Sequence, residues 1–258
     1  HRGPDGSGIF TEEPIYLGHK RLAVIDLSKK GLQPMQSNSG RYVCSFNGEV
    51  YNYKTLKDDL EKKGHKFNSS TDTEVLLTLI DHYGLRIAIE KCIGMFSIAL
   101  WDKKNKVLNL IRDRFGEKPL YYGSHNGVFI FGSELKSLTL HPEFEKRICQ
   151  RALGLYFKYG YIDSPNCIFQ NTYKLEPGSI LTVDLNNTEH SFVYKEIENK
   201  MDDVFKLKGK GFGSTYAFKF MPIRIDYIFI SPSITAKNFT VYDENISDHK
   251  PISAFIKI

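Results

Sequence analysis

The chain of 258 residues has only four cysteines, no Cys-x-x-Cys pair, and no apolar run near the roughly 20 residues that a membrane-crossing helix needs. The first scarcity argues against a zinc site or a dithiol redox motif. The second excludes a spanning helix from the reading, and no membrane partner is expected. Cys44, Cys92 and Cys149 have apolar neighbours and read as small core residues. Charge of one sign is scarce as well. The net charge is +5, and residues 195–258 hold ten basic and eight acidic side chains, a share of +2, so no basic arm marks a nucleic-acid footprint. No repeat or low-complexity tract appears. The glycine-rich run Lys208 to Tyr216 lacks the spacing of a phosphate-binding loop. Asn-x-Ser/Thr triplets at Asn68, Asn186, Asn238 and Asn245 follow no signal-like leader, so a cytoplasmic setting is expected.

What is present describes an ordinary soluble protein, 41% hydrophobic and 25% charged, long enough for one large domain or two modest ones. Short strands are expected at Ile15–Leu17, Leu22–Ile25, 41–46, Met95–Trp101, Val107–Ile111 and Val128–Phe131. A helix is expected over Tyr53–Lys63, stopped by Gly64. Thr71-Asp72-Thr73-Glu74 reads as a capping box opening a second helix, whose apolar face is Val75, Leu76, Leu79, Ile80 and Tyr83 and whose end is Gly84. Two sheets with these helices packed outside make a layered α+β domain.

The run Phe46-Asn47-Gly48-Glu49-Val50-Tyr51-Asn52 stands out because a polar Asn-Gly-Glu step is expected to end the 41–46 strand. The Asn47 carboxamide can donate to a developing oxyanion, Gly48 offers a backbone N–H that a substrate can approach, and Glu49 offers a charge to an ammonium. An Asn-Gly pair is equally a hairpin turn signal. Arg112-Asp113 reads as a buried structural pair.

Seven motifs then occur in a familiar order: His1-Arg2-Gly3-Pro4-Asp5, Gly18-His19-Lys20-Arg21-Leu22, Gln33-Pro34-Met35, Asn47 to Asn52, Thr71 to Glu74, Gly94-Met95-Phe96 and Arg112 to Gly116. Together they resemble the glutaminase domain of glutamine-hydrolysing asparagine synthetases, class II glutamine amidotransferases with the N-terminal-nucleophile fold, over residues 1–194. The resemblance implies an αββα sandwich, glutamine as the bound partner and no cofactor. It implies that Arg21 holds the α-carboxylate of glutamine, that Glu49 and Asp72 hold its α-ammonium, and that Asn47 and Gly48 form the oxyanion hole. A surface ion pair for Arg21 and a plain helix cap for Asp72 are the alternatives. The family's nucleophile is an N-terminal cysteine whose own amine serves as base, and none of the four internal cysteines has such an amine. The family's second domain carries a Ser-Gly-Gly-x-Asp-Ser loop that this sequence does not contain. The polypeptide is therefore expected to be incomplete and inactive in glutamine hydrolysis.

From about Tyr194 the character changes, and residues 195–258 are expected to form a short β-rich piece. Arg224 to Ser231 and Ser247-Asp248-His249-Lys250-Pro251 resemble the carboxy-terminal end of the endonuclease/exonuclease/phosphatase family, which uses magnesium. That resemblance implies Asp226 orienting His249, with Asp248 near the metal, and a nucleic acid or phosphate ester as substrate. A buried Asp226–His249 pair with no catalysis fits equally. The family's other metal-binding residues have no counterpart in the segment. The chain thus reads as a composite joined near residues 190 to 200.

Overall fold

The computed structural model describes residues 3–185 and the strand segments 202–203, 229–230, 235–241 and 252–257. The chain divides into two compact units, His1–Val183 and Asp184–Ile258.

The first unit opens with an antiparallel hairpin, β1 (Gly6–Glu12) and β2 (Ile15–Arg21), in register from Gly6↔Arg21 to Glu12↔Ile15. The sequence pattern places strands at Ile15–Leu17 and Leu22–Ile25 around Gly18 to Arg21. Instead Gly18 to Arg21 belong to β2, and past the Gly6↔Arg21 pair the ladder gives way to a side-chain contact, in which the Asp5 carboxylate accepts the Ala23 N–H at 2.9 Å. Leu22 and Val24 are 65% and 70% exposed, and a short 3₁₀ turn follows at Lys29–Gly31.

The central sheet holds five strands in the order β10-β6-β5-β4-β3. Its members are β3 (Met35–Gln36), β4 (Tyr42–Val50), β5 (Gly94–Asp102), β6 (Val107–Arg112) and β10 (Ile180–Asp184). Alternation along the strands sends Tyr42, Cys44, Phe46 and Val50 of β4, with Phe96, Ile98 and Leu100 of β5, to one face. There they meet α1 (Tyr53–Lys62), α2 (Asp72–Tyr83) and α3 (Leu85–Lys91). The first nine residues of α2, Asp72–Ile80, are all buried, so this helix is enclosed well beyond a single apolar stripe. Helix α3 was not anticipated: Gly84, at φ 80°, ends α2 as expected and turns the chain straight into another helix. Val43, Trp101, Leu108 and Leu110 close the opposite face.

A second sheet, in the order β8-β7-β9, consists of β7 (Tyr121–His125), β8 (Val128–Gly132) and β9 (Thr172–Lys174). Leu138 of the short helix α4 (Leu135–Leu138) packs on it against Ile130 and Phe144. Helix α5 (Gln150–Tyr159) completes this unit and ends on Gly160 in the left-handed conformation. The architecture is the expected layered α+β.

In the second unit β11 (Asp202–Asp203) pairs with β12 (Phe229–Ile230), and β13 (Thr235–Val241) pairs with β14 (Ile252–Lys257), both antiparallel. The final strand expected from Ile252 is thus present as β14. Of the strand expected in Arg224 to Ser231, the described part is β12.

Candidate active site

Asn47, Gly48 and Glu49 do not end a strand. They lie inside β4, opposite Ser97, Phe96 and Met95 of β5. The Asn-Gly turn signal gives way to the ladder because Gly48 allows β5 to come unusually close. A Cβ at Gly48 would collide with the Met95 carbonyl oxygen and lie 2.6 Å from Phe96 Cα, and φ there is 153°.

The functional interest lies in the edge of β4 that β5 does not use. In an antiparallel strand the backbone N–H and C=O groups of alternate residues point to the same side. The Cys44 end of that side pairs with β3. Two residues on, the Phe46 N–H donates to Gln33 Oε1 at 2.6 Å, and the Phe46 carbonyl accepts from His19 Nε2 at 3.1 Å. At the far end the Val50 N–H donates to Asp72 Oδ2 at 3.0 Å. Gly48 stands between these two capped positions, its N–H directed to the same edge. The pattern is three donors about 7 Å apart with side chains on the outer two.

Each capping group is itself held. The Gln33 amide donates to Thr73 Oγ1 at 3.2 Å, tying the edge to the first turn of α2. The capping box is half realised: Thr71 Oγ1 accepts the Glu74 N–H at 3.2 Å, but the Glu74 carboxylate reaches the N–H groups of Asn68 and Ser69, not that of Thr71. This fixes the α2 N-terminus, where Asp72 is buried. Burial pushes the Asp72 carboxyl above its ordinary value, opposed by the Val50 and Thr73 N–H groups, and the Glu49 charge pushes it further up. Burial holds His19 below its usual range, so its imidazole is neutral at neutral pH, with Nε2 the protonated nitrogen because a carbonyl only accepts.

Arg21, at the end of β2, is buried beside this helix terminus. A Cβ built at Gly31 would lie 2.8 Å from the Arg21 guanidinium carbon and 2.9 Å from the Thr71 methyl, so the two side chains converge on the space that Gly31 leaves. The guanidinium donates through Nη1 to the Ser28 carbonyl at 2.6 Å and through Nη2 to the Asp26 carbonyl. On the sheet face away from α1 to α3, Asn47 Nδ2 donates to Ser133 Oγ at 3.1 Å, just past β8. Ser97, its neighbour across the ladder, is buried with a hydroxyl that meets no partner among the described residues.

Asn47, Gly48 and Glu49 are thus consecutive in β4, Asp72 is tied to that strand through Val50, and Arg21 lies beside Thr71, the residue before Asp72. Asp226, Asp248 and His249 lie outside the described residues. Among the described residues no group of three or more His, Cys, Asp and Glu side chains is placed to hold a metal, and no helix is long and apolar enough to cross a membrane. All four cysteines are unpaired. Burial pushes the thiols of Cys44 and Cys167 up, and that of Cys92 up to about 12, so none of the three is a thiolate at neutral pH.

Arg112 and Asp113 are buried as expected, but they act through separate backbone partners. Arg112 donates to the carbonyls of Lys118, Leu175 and Gly116. Asp113 accepts from the N–H groups of Phe96, Phe115, Glu117 and Lys118. Four contributors to the site carried no sequence signal of their role: His19, Gln33, Asp26 and Ser133. His19 and Gln33 stand in noted motifs, yet only their contacts show what they do.

Comparison with known proteins gives a match of residues 1–194 to a family described as the glutamine amidotransferase domain. Asparagine synthetase [glutamine-hydrolyzing] 1 of Bacillus subtilis (strain 168) is 41% identical over 183 residues, covering 71% of this chain and 28% of its own. Putative asparagine synthetase [glutamine-hydrolyzing] 2 of Methanocaldococcus jannaschii is 39% identical over 218 residues, covering 76% of this chain and 42% of its own. The chain thus spans less than half the length of either relative. A solved glutamine phosphoribosylpyrophosphate amidotransferase from B. subtilis, complexed with ADP and GMP, covers 66% of this chain and 33% of its own at 21% identity, with a TM-score of 0.48.

Proposed function

The chain belongs to the glutamine amidotransferase domain family, and from that premise we propose that the free edge of β4 binds glutamine for hydrolysis to glutamate and ammonia, as the glutaminase part of an asparagine synthetase-type enzyme of N-terminal-nucleophile fold. One observation carries the reading: the Gly48 N–H lies between two positions that side chains have already capped, on a stretch of β4 edge that no other strand among the described residues covers.

Glutamine has two charged groups on its α-carbon and an amide at the far end. Arg21 has three N–H groups beyond the two that hold the loop, enough to take the α-carboxylate through a charge-assisted pair. Glu49 and Asp72 supply negative charge for the α-ammonium. The amide carbonyl then lies toward Gly48 and Asn47. When a nucleophile attacks the amide carbon, its oxygen becomes an anion, and the Gly48 N–H and the second Nδ2 hydrogen of Asn47 stabilise it more than they do the ground-state carbonyl. Collapse of that intermediate breaks the C–N bond as the departing nitrogen takes up a proton and leaves as ammonia, and water then cleaves the glutamyl group from the nucleophile to give glutamate. Unpaired cysteines support a reducing, cytoplasmic setting. No cofactor is needed for these steps.

Calorimetry with glutamine tests the recognition step independently of turnover. Arg21→Ala is expected to weaken binding about tenfold or more, the loss of a hydrogen-bonded charge pair. An unchanged affinity in that variant would remove the carboxylate assignment.

A further inference from the structure

We propose that Asp26 is the positioning residue for glutamine recognition, fixing Arg21 at a set distance from Asp72. The inference rests on the function proposed above and adds a residue to it.

Arg21 and Asp72 come from different elements, the end of β2 and the start of α2, with 50 positions of chain between them. Gripping both ends of one small amino acid requires that these elements keep their spacing, since reacting groups lose efficiency when misplaced by about 1 Å. Asp26 is the side chain that spans them. Its Oδ2 accepts from the Ser70 N–H at 3.0 Å and from Ser70 Oγ at 3.1 Å, two residues before Asp72. Its Oδ1 accepts from the Ser28 N–H at 2.8 Å. Its own carbonyl and that of Ser28 are the two acceptors that hold the Arg21 guanidinium. One residue therefore links the acceptors of Arg21 to the segment that carries Asp72. A local turn, in which an aspartate accepts the N–H two residues on, would need only the Ser28 contact. The paired contacts to Ser70, 44 positions away, go beyond that local role.

Asp26→Asn tests this because a carboxamide has one acceptor oxygen where the carboxylate has two, so the Ser28 and Ser70 N–H contacts cannot both be kept. In the full chain, Asp26→Asn is expected to raise the Kd for glutamine about five- to tenfold and to have no further effect in an Arg21→Ala background. It should leave the Kd for 4-aminobutanamide, which is glutamine without its carboxylate, unchanged. Equal losses for both ligands, or additive losses with Arg21→Ala, would overturn the positioning role and make Asp26 a general structural residue. Thermal melting of each variant checks folding, and if Asp26→Asn does not fold, Ser70→Ala replaces it with a smaller shift of the same pattern expected. Failure of the unaltered chain to bind glutamine overturns the recognition reading and this inference with it. Binding that depends on Arg21 but not on Asp26 overturns this inference alone.

Discussion

Asp72 and Asp113 are both buried carboxylates, yet their surroundings push them in opposite directions. At Asp72 burial outweighs the hydrogen bonds, so its folded value is raised. It contributes stability below the unfolded value, and that contribution is lost as pH rises through the folded one. At Asp113 burial also pushes up, but the N–H groups of Lys118, Glu117, Phe96 and Phe115 outweigh it. Its stabilisation is present above the unfolded value and is lost as pH falls through the lowered one. A structural carboxylate is thus stabilised as the anion, while at the one offered to a ligand the hydrogen bonds do not offset burial, which leaves an ammonium something to gain there. Glutamine binding is therefore expected to weaken on acidification at a higher pH than an ordinary aspartate would require, as Asp72 gains a proton. Calorimetry from neutral pH down to about 4 measures it, and an affinity that stays flat across that range would contradict the role. The same residues mark what the sequence makes legible. Arg21, Asn47, Gly48, Glu49 and Asp72 can be named because each sits in a short motif. Gln33 and His19 also sit in short motifs, but their roles, like that of Ser133, are contacts to β4 across 13, 27 and 86 positions that no local pattern encodes.

At the scale of elements, β4 and α2 define the site together: the strand presents the open N–H and the helix terminus presents the carboxylate. The strand continues through Gly48 only because β5 closes on a residue without a side chain. Gly48→Ala is accordingly expected to destabilise the fold by about 2 kcal/mol or more, since the obstructing atoms are backbone and cannot swing aside. Denaturant unfolding measures this, and a loss below about 0.5 kcal/mol would mean that β5 yields easily at this point. Helices α1 and α2 were readable from apolar spacing and from their terminal residues, Gly64 and Thr71. The Asn-Gly step misled because turn propensity is local, whereas pairing with β5 is set by residues 95–97. The strand expected at Leu22–Ile25 failed for a related reason: apolar, β-branched residues without a partner strand make no ladder, and here they accompany the loop that seats Arg21.

At the scale of the molecule, the pattern of expected strands and amphipathic helices points to a layered α+β architecture, but not to which sheet carries which helices. The latter depends on the alternation that sends Phe46 to α2 and Asn47 to the other face. Everything proposed for recognition lies within the unit His1–Val183, where the β2 end, the edge of β4 and the α2 terminus meet. Amide chemical shifts followed by nuclear magnetic resonance during a glutamine titration test that claim most directly. The account predicts saturable shifts centred on Gly48, Val50, Asp72 and Arg21, with Ser70 and Gly31 following. Shifts that avoid the β4 edge, or a titration that moves no amide of that group, would contradict it.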